Sequence, residues 1–374
     1  MKDVTEHSLL CQVEALVAAE LAPLAADIDQ KGLYPVDFLR RLGRLGGYAA
    51  AVPQEQGGLA RGLACQIEIG SLLGASCGAT AFVGWCQTVS AWYLSRTPNE
   101  AVRQRHLQAV AWGEQLCGTG MSNTVKHLAG IERMLLKARR DGDRYVVQGV
   151  LPWVSNIAPG HLLAVAAEME DGSGHVMFVF QAGAEQTSLH DCPDFSGMEG
   201  TATVNIRLNG LVVTPDQVLA HPEQFSAYMN DIKPGFVLSQ TAMGLGVIRA
   251  SLATIVQTNR THAHVNDFLE DGEAELTVEL KALTRRIHQL AAQVDAGKVS
   301  LLEVLKARAW TSELALRAAN SAALHAGARG YQMRHAAQRQ LREAMFVAIV
   351  TPALKHLRRE IHALQESAAQ AEAI

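Results

Sequence analysis

Apolar residues recur at three- and four-residue spacing through residues 5–116, in alanine- and leucine-rich stretches such as 13–21 and 36–45. That period predicts helices. Breaks fall at Pro35, at Gly46-Gly47, and across Gln54-Glu55-Gln56-Gly57-Gly58. Near Cys117 the pattern changes. Short alternating runs at 145–148, 162–165, 176–180 and 202–213, bounded by turn residues, predict strands. Asp141-Gly142-Asp143 reads as a hairpin turn between two of them. Beyond about residue 222 the helical period returns. Leu276, Leu280, Leu283, Ile287, Leu290 and Val294 form one apolar stripe, which marks a bundle helix. A second helix is predicted over 300–326, closed by Ala326-Gly327-Ala328-Arg329-Gly330, and a third over 335–350 before Pro352. The pattern therefore predicts a mostly α chain with a middle antiparallel β domain: helices over 1–116, strands over 117–222, and a helix bundle over 223–374.

Composition narrows the partners. The 374 residues are 48% hydrophobic and 19% charged, enough to bury a sizeable core. A net charge of −4 without blocks of like charge gives no footprint for nucleic acid or an anionic membrane surface. The amino terminus has no basic stretch leading into an apolar run, and no window approaches the ~18 apolar residues of a membrane span, so a cytoplasmic location is expected. Six cysteines without a Cys-x-x-Cys pair argue against zinc and fit reduced thiols.

Five stretches carry a more specific signal. They are Val52-Pro53-Gln54-Glu55-Gln56-Gly57-Gly58; Trp112-Gly113-Glu114 leading to Thr119-Gly120-Met121-Ser122-Asn123; residues 142–149 followed by Pro152-Trp153-Val154-Ser155-Asn156; Phe195-Ser196-Gly197-Met198-Glu199-Gly200-Thr201; and Gly330-Tyr331 before Arg342-Glu343-Ala344. A Trp and a hydroxyl residue alternating along Trp153-Val154-Ser155 would share one strand face, where an aromatic wall and a donor suit a flavin edge. Thr119, Ser122 and Asn123 form a polar, glycine-punctuated loop suited to holding a cofactor. In order and spacing these stretches resemble the acyl-CoA dehydrogenase family over nearly the whole chain. The resemblance implies a helical domain, a β barrel-like domain and a four-helix bundle in that order. It also implies FAD, with Thr119, Ser122, Asn123, Trp153 and Ser155 around the cofactor, and an acyl-CoA or other small thioester as substrate. A homodimer or homotetramer and an electron-transfer partner belong to the same expectation.

The chain departs from that family where chemistry is concentrated. Dehydrogenation of an acyl thioester needs a carboxylate to take the α proton. The family places it a few residues after Arg-Asp-Ala; here Arg342-Glu343-Ala344 is followed by Ile349-Val350-Thr351-Pro352, with Thr351 at the glutamate position. The alternative position, on the first bundle helix, matches residues 235–240, which contain no carboxylate. The arginine that reaches a cofactor phosphate aligns with Arg260 or His262, and Gly327 and Gly330 remain from the family's glycine-rich turn. His262 and His264 lack a carboxylate motif for a metal, so solvated loop histidines are expected. Three functions follow from the resemblance: an FAD-dependent oxidoreductase with a relocated base or a different reaction, such as a monooxygenase or desulfinase; an accessory subunit completing a paired homologue's site; or a scaffold without cofactor.

Overall fold

The computed structural model describes residues 6–372; residues 1–5, on which the reading of the amino terminus rests, and residues 373–374 lie outside the described part. Helix α1 (Glu6–Leu16) continues through a π-helical turn at Val17–Leu21 toward α2 (Ala25–Lys31). Leu9, Val13, Val17 and Leu21, four residues apart, line its buried side. Then come α3 (Val36–Arg44), α4 (Gly62–Ser76), α5 (Gly78–Arg96) and α6 (Glu100–Ala111). Helix α5 is buried on nearly every side and carries no acidic residue, as a central core helix must.

The middle region holds β1 (Cys117–Thr119), α7 (Ser122–Leu128), β2 (Leu136–Asp141), β3 (Arg144–Val154), β4 (Leu162–Met169), β5 (His175–Gln181), β6 (Thr187–His190), β7 (Val204–Val213) and β8 (Val218–Ala220). They form one sheet in the order β6-β7-β3-β2-β4-β5-β8, with β1 beside β4. The sheet is antiparallel except where β4 runs parallel to β1 and to β2. The predicted hairpin is present: Asp141 pairs Arg144, and Gly142 takes the positive φ of 63° that the two-residue loop requires. Leu151, Phe178, Phe180 and Ile206 belong to a second apolar core, separate from the helical one.

The bundle comprises α8 (Pro222–Ser239), α9 (Thr241–Asn266), α10 (Glu273–Asp295), α11 (Leu301–Gly330), α12 (Ala336–Ile349) and α13 (Leu354–Glu372). Leu276, Leu283, Ile287, Leu290 and Val294 are buried along α10, with Leu280 partly so. Helix α9 crosses α4 at Gly74 and Gly246, where a Cβ on Gly246 would lie 2.4 Å from Gly74 Cα; only glycine lets the backbones approach this closely. This seam joins the first and third regions through one continuous core.

The expectation about membrane-length segments needs correcting. Two helical runs, Glu6–Lys31 and Pro222–Asn266, are long and apolar enough to cross a membrane by length and composition. Alanine and valine keep their mean hydropathy high without an unbroken apolar run. The most apolar 18-residue window of the second run is 83% buried within the fold, as expected of core helices, and that of the first is 28% buried.

Candidate functional site

Backbone strain concentrates at the end of β3. Trp153 (φ 55°), Asn156 (φ 63°), Met198 (φ 69°) and Ala202 (φ 46°) all adopt left-handed conformations that side-chain-bearing residues rarely take. Surrounding bonds hold them there: Asn156 N–H donates to Thr201 O at 2.9 Å and Ile157 N–H to Ala202 O at 3.1 Å. Such clusters mark sites where geometry outranks local comfort. The same strain corrects the expectation that Trp153 and Ser155 share a face by alternation. The register of β3 against β7 shifts between Leu151 and Val154. As a result Trp153 is 62% exposed, edge-on to Phe195 at 5.8 Å, whereas Ser155 is buried.

Ser155 Oγ shares a 2.6 Å hydrogen bond with Thr203 Oγ1, which shares a 2.7 Å bond with Thr201 Oγ1. Asn156 is the hub beneath them. Its Oδ1 accepts from Tyr34 OH at 2.6 Å, and its Nδ2 donates to Cys117 O at 2.9 Å. Thus the first helical region, β1 and β3 are pinned together. Cys117 is itself buried, and desolvation pushes its thiol up to about 12, so it is a neutral packing group and not a nucleophile.

The loop residues divide. Ser122 and Asn123, expected in a loop, open helix α7, and Ser122 Oγ shares a 2.8 Å hydrogen bond with Thr351 Oγ1 across 229 positions of sequence, bringing the start of α7 against the turn after α12. Asn123 is occupied internally: Nδ2 donates to Arg133 O and Oδ1 accepts from Leu135 N–H, both at 2.9 Å. Thr119 pairs with Tyr93 OH of α5 at 3.2 Å. Close to Ser122, the buried Thr124 Oγ1 has no hydrogen-bond partner. Arg260 and Gly327 lie elsewhere, at the ends of α9 and α11, which meet where Asn266 Nδ2 donates to His325 O. Gly327 breaks α11 there with φ 57°.

These observations fit FAD in two parts. An exposed aromatic ring on strained backbone and a chain of hydroxyls beside it suit a flavin ring system. A cation and a left-handed glycine at a helix end suit a diphosphate-bearing tail.

Thr203 and Arg308 escaped the sequence reading, as did the partners of Arg342 and Glu343. Arg342 forms a two-armed pair with Asp29 at 2.6 and 2.7 Å, and Glu343 accepts from Gly78 N–H at 2.8 Å. Burial raises the Glu343 carboxyl from 4.5 to about 7 despite Arg339 nearby at 3.4 Å. Thr203 extends the hydroxyl chain, and the fully buried Arg308 touches the Thr351 turn through Gln240. The motif Arg-Glu-Ala was visible in sequence; its partner at position 29 was not.

The family model described as "Acyl-CoA dehydrogenase, N-terminal domain" matches residues 4–114, and "Acyl-CoA dehydrogenase, C-terminal domain" matches residues 238–361. The chain belongs to the acyl-CoA dehydrogenase family. It is 26% identical over 369 residues to cyclohex-1-ene-1-carbonyl-CoA dehydrogenase of Geobacter metallireducens, covering 94% of this chain and 96% of that one. Among solved structures it resembles butyryl-CoA dehydrogenase from Megasphaera elsdenii, with TM-score 0.86, 17% identity and 98% of each chain covered. It also resembles a glutaryl-CoA dehydrogenase from Mycobacterium smegmatis in complex with FADH2, with TM-score 0.83, 17% identity, and 96% and 94% covered. These structural likenesses extend the family fold through the middle β region, which neither family model spans.

Proposed function

We propose that the protein is an FAD-dependent oxidoreductase acting on an acyl-CoA or related acyl thioester, in which the usual carboxylate base is replaced or relocated. Family membership supports the class. The single observation that carries the finer reading is Thr351: its hydroxyl pairs with Ser122 and its carbonyl accepts from Gln240 at 2.8 Å, two neutral partners. A threonine hydroxyl is not a base at neutral pH without activation. Nor does the neighbouring Glu343 supply one, because its carboxyl is buried against Gly78 at the start of α5.

The chemistry that FAD supplies when bound is acceptance of a hydride. This chain's own residues would do the rest. Trp153 would wall the ring, Ser155 and Thr203 would donate to its edge, Arg260 would hold the phosphates, and the Ser122–Thr351 pair would border both the ring and the thioester. The same neutral Thr351 also favours a second reading, a subunit that completes the site of a paired homologue. A homodimer or homotetramer is part of the proposal. Phe268 and Tyr331, 87% and 85% exposed, follow the ends of α9 and α11, the helices that carry Arg260 and Gly327. Light scattering at micromolar concentration should show an oligomer.

The absorbance spectrum of the purified protein tests the proposal. Flavin bands at roughly 370 and 450 nm, as expected of a bound flavin cofactor, support the oxidoreductase. A colourless protein that does not take up added FAD sinks it and leaves the accessory-subunit reading.

A further inference from the structure

Arg308, near the start of α11, is fully buried, with 0% of its surface exposed. Its guanidinium donates from Nε to Gln240 Oε1 at 3.1 Å, from Nη1 to Ser312 Oγ, and from Nη2 to Val347 O at 2.6 Å. None of these acceptors is a carboxylate. Desolvation pulls the group down to about 10, still well above neutral pH, so the charge persists there with no ionic partner among the described residues. Burying a cation this way costs several kcal/mol by general experience with desolvated ions, and a leucine or methionine would fill the space without that cost.

Its surroundings explain how the charge is accommodated. Val347 lies in the last turn of α12, where carbonyls lack helical donors and the helix dipole is negative. The cation therefore caps a helix end. Gln240 occupies the joint between α8 and α9 and is fully buried; Oε1 faces Arg308 while Nε2 donates to Thr351 O at 2.8 Å. Arg308 thus grips the turn after α12 at two points, Val347 directly and Thr351 through Gln240. Between those points the chain leaves the helix and presents the Thr351 hydroxyl to Ser122.

We infer that Arg308 is a positioning residue for the candidate site: with Gln240 it fixes the 347–352 turn so that Thr351 meets Ser122 across the boundary between the β region and the bundle. The function of that placement rests on the FAD and thioester reading above; the placement itself does not. An arginine suits the task because its planar fork serves three acceptors in different directions, whereas a lysine offers one point charge. Ser312 binds Arg308 without touching the turn, so it separates positioning from simple packing.

The test uses the full-length protein and FAD titration, followed by flavin fluorescence, in Gln240→Met, Arg308→Lys, their double variant and Ser312→Ala. Gln240→Met and Arg308→Lys should each weaken FAD binding about tenfold. The double variant should lose less than the product of the two single losses, because Arg308 and Gln240 share one contact to the turn. Ser312→Ala should stay within twofold. Unchanged affinity in Gln240→Met, additive losses in the double variant, or an equal loss in Ser312→Ala would overturn the inference. If Arg308→Lys does not fold, Gln240→Met decides. If the wild-type protein binds no FAD, the proposed function fails and amide hydrogen exchange decides the placement. Exchange about tenfold faster at residues 349–351 alone in Gln240→Met supports it, and an unchanged rate there refutes it.

Discussion

Helix α12 carries two contrasting regions within nine residues. At Arg342 and Glu343 it meets the first helical region through buried charge: a two-armed Arg342–Asp29 pair and a carboxyl seated on the N–H of Gly78. At Thr351, just beyond its end, it meets the β region through two neutral hydroxyls. The resemblance leads one to expect charge in both places, one to join domains and one to move a proton. Charge stands in the first place and a pair of hydroxyls in the second. The two contacts made along and just beyond this helix therefore differ in kind, one tying regions by charge and the other by hydroxyls.

The contrast breaks most visibly in an activity assay. With dye as acceptor and a panel of saturated straight-chain acyl-CoAs, turnover should lie about 10²- to 10⁴-fold below an ordinary dehydrogenase, the contribution of a positioned base. Turnover near ~10 per second would show that a base stands within reach of the thioester. On the joining side, Arg342→Ala strands the partly buried Asp29 carboxylate and should cost about 3 kcal/mol in a denaturant titration, the low end for a broken buried pair. A loss below about 1 kcal/mol, the range of an exposed pair, would mean the tie is dispensable.

Glu343 gives a smaller, pH-dependent effect. Its native value of about 7 lies above the 4.5 it has when unperturbed, so the folded protein holds this proton where the unfolded chain has released it. Stability from this group is therefore full below about pH 4.5 and declines as pH rises through about 7, by on the order of 2–3 kcal/mol in total. Glu343→Gln keeps an acceptor for Gly78 N–H and should remove that slope from the difference between variant and wild-type unfolding curves. Smallest in stability is Trp153→Ala. An exposed side chain on strained backbone should leave unfolding within about 0.5 kcal/mol, while bound FAD falls or its visible spectrum shifts. Unchanged stoichiometry and spectrum would remove Trp153 from the site.

Much of the architecture was legible from local pattern. The stripe from Leu276 to Val294 faces the core as its spacing requires, and the Asp141–Arg144 hairpin forms where the turn residues stand. The site was legible in part. Thr351 and Ser122 were named separately; only their 2.8 Å contact makes them one feature. Alternation misread Trp153 and Ser155, because a register shift and a positive φ override a period of two, and no sequence rule announced that strain.

By itself the sequence determined the periodicities, the hairpin, and the order of helical and strand regions. Those are properties of single residues and of neighbours a few positions apart, where backbone sterics and the side-chain period act directly. Tertiary structure alone decided which polar groups meet: Arg308 with Gln240 and Val347, Arg342 with Asp29, Tyr34 with Asn156. It also decided that Arg308, on a helix whose pattern admits a solvated arginine, is wholly buried. Those outcomes depend on how distant helices pack and on how much water the packing removes, and burial sets the cost of a charge more than the identity of the residue that bears it.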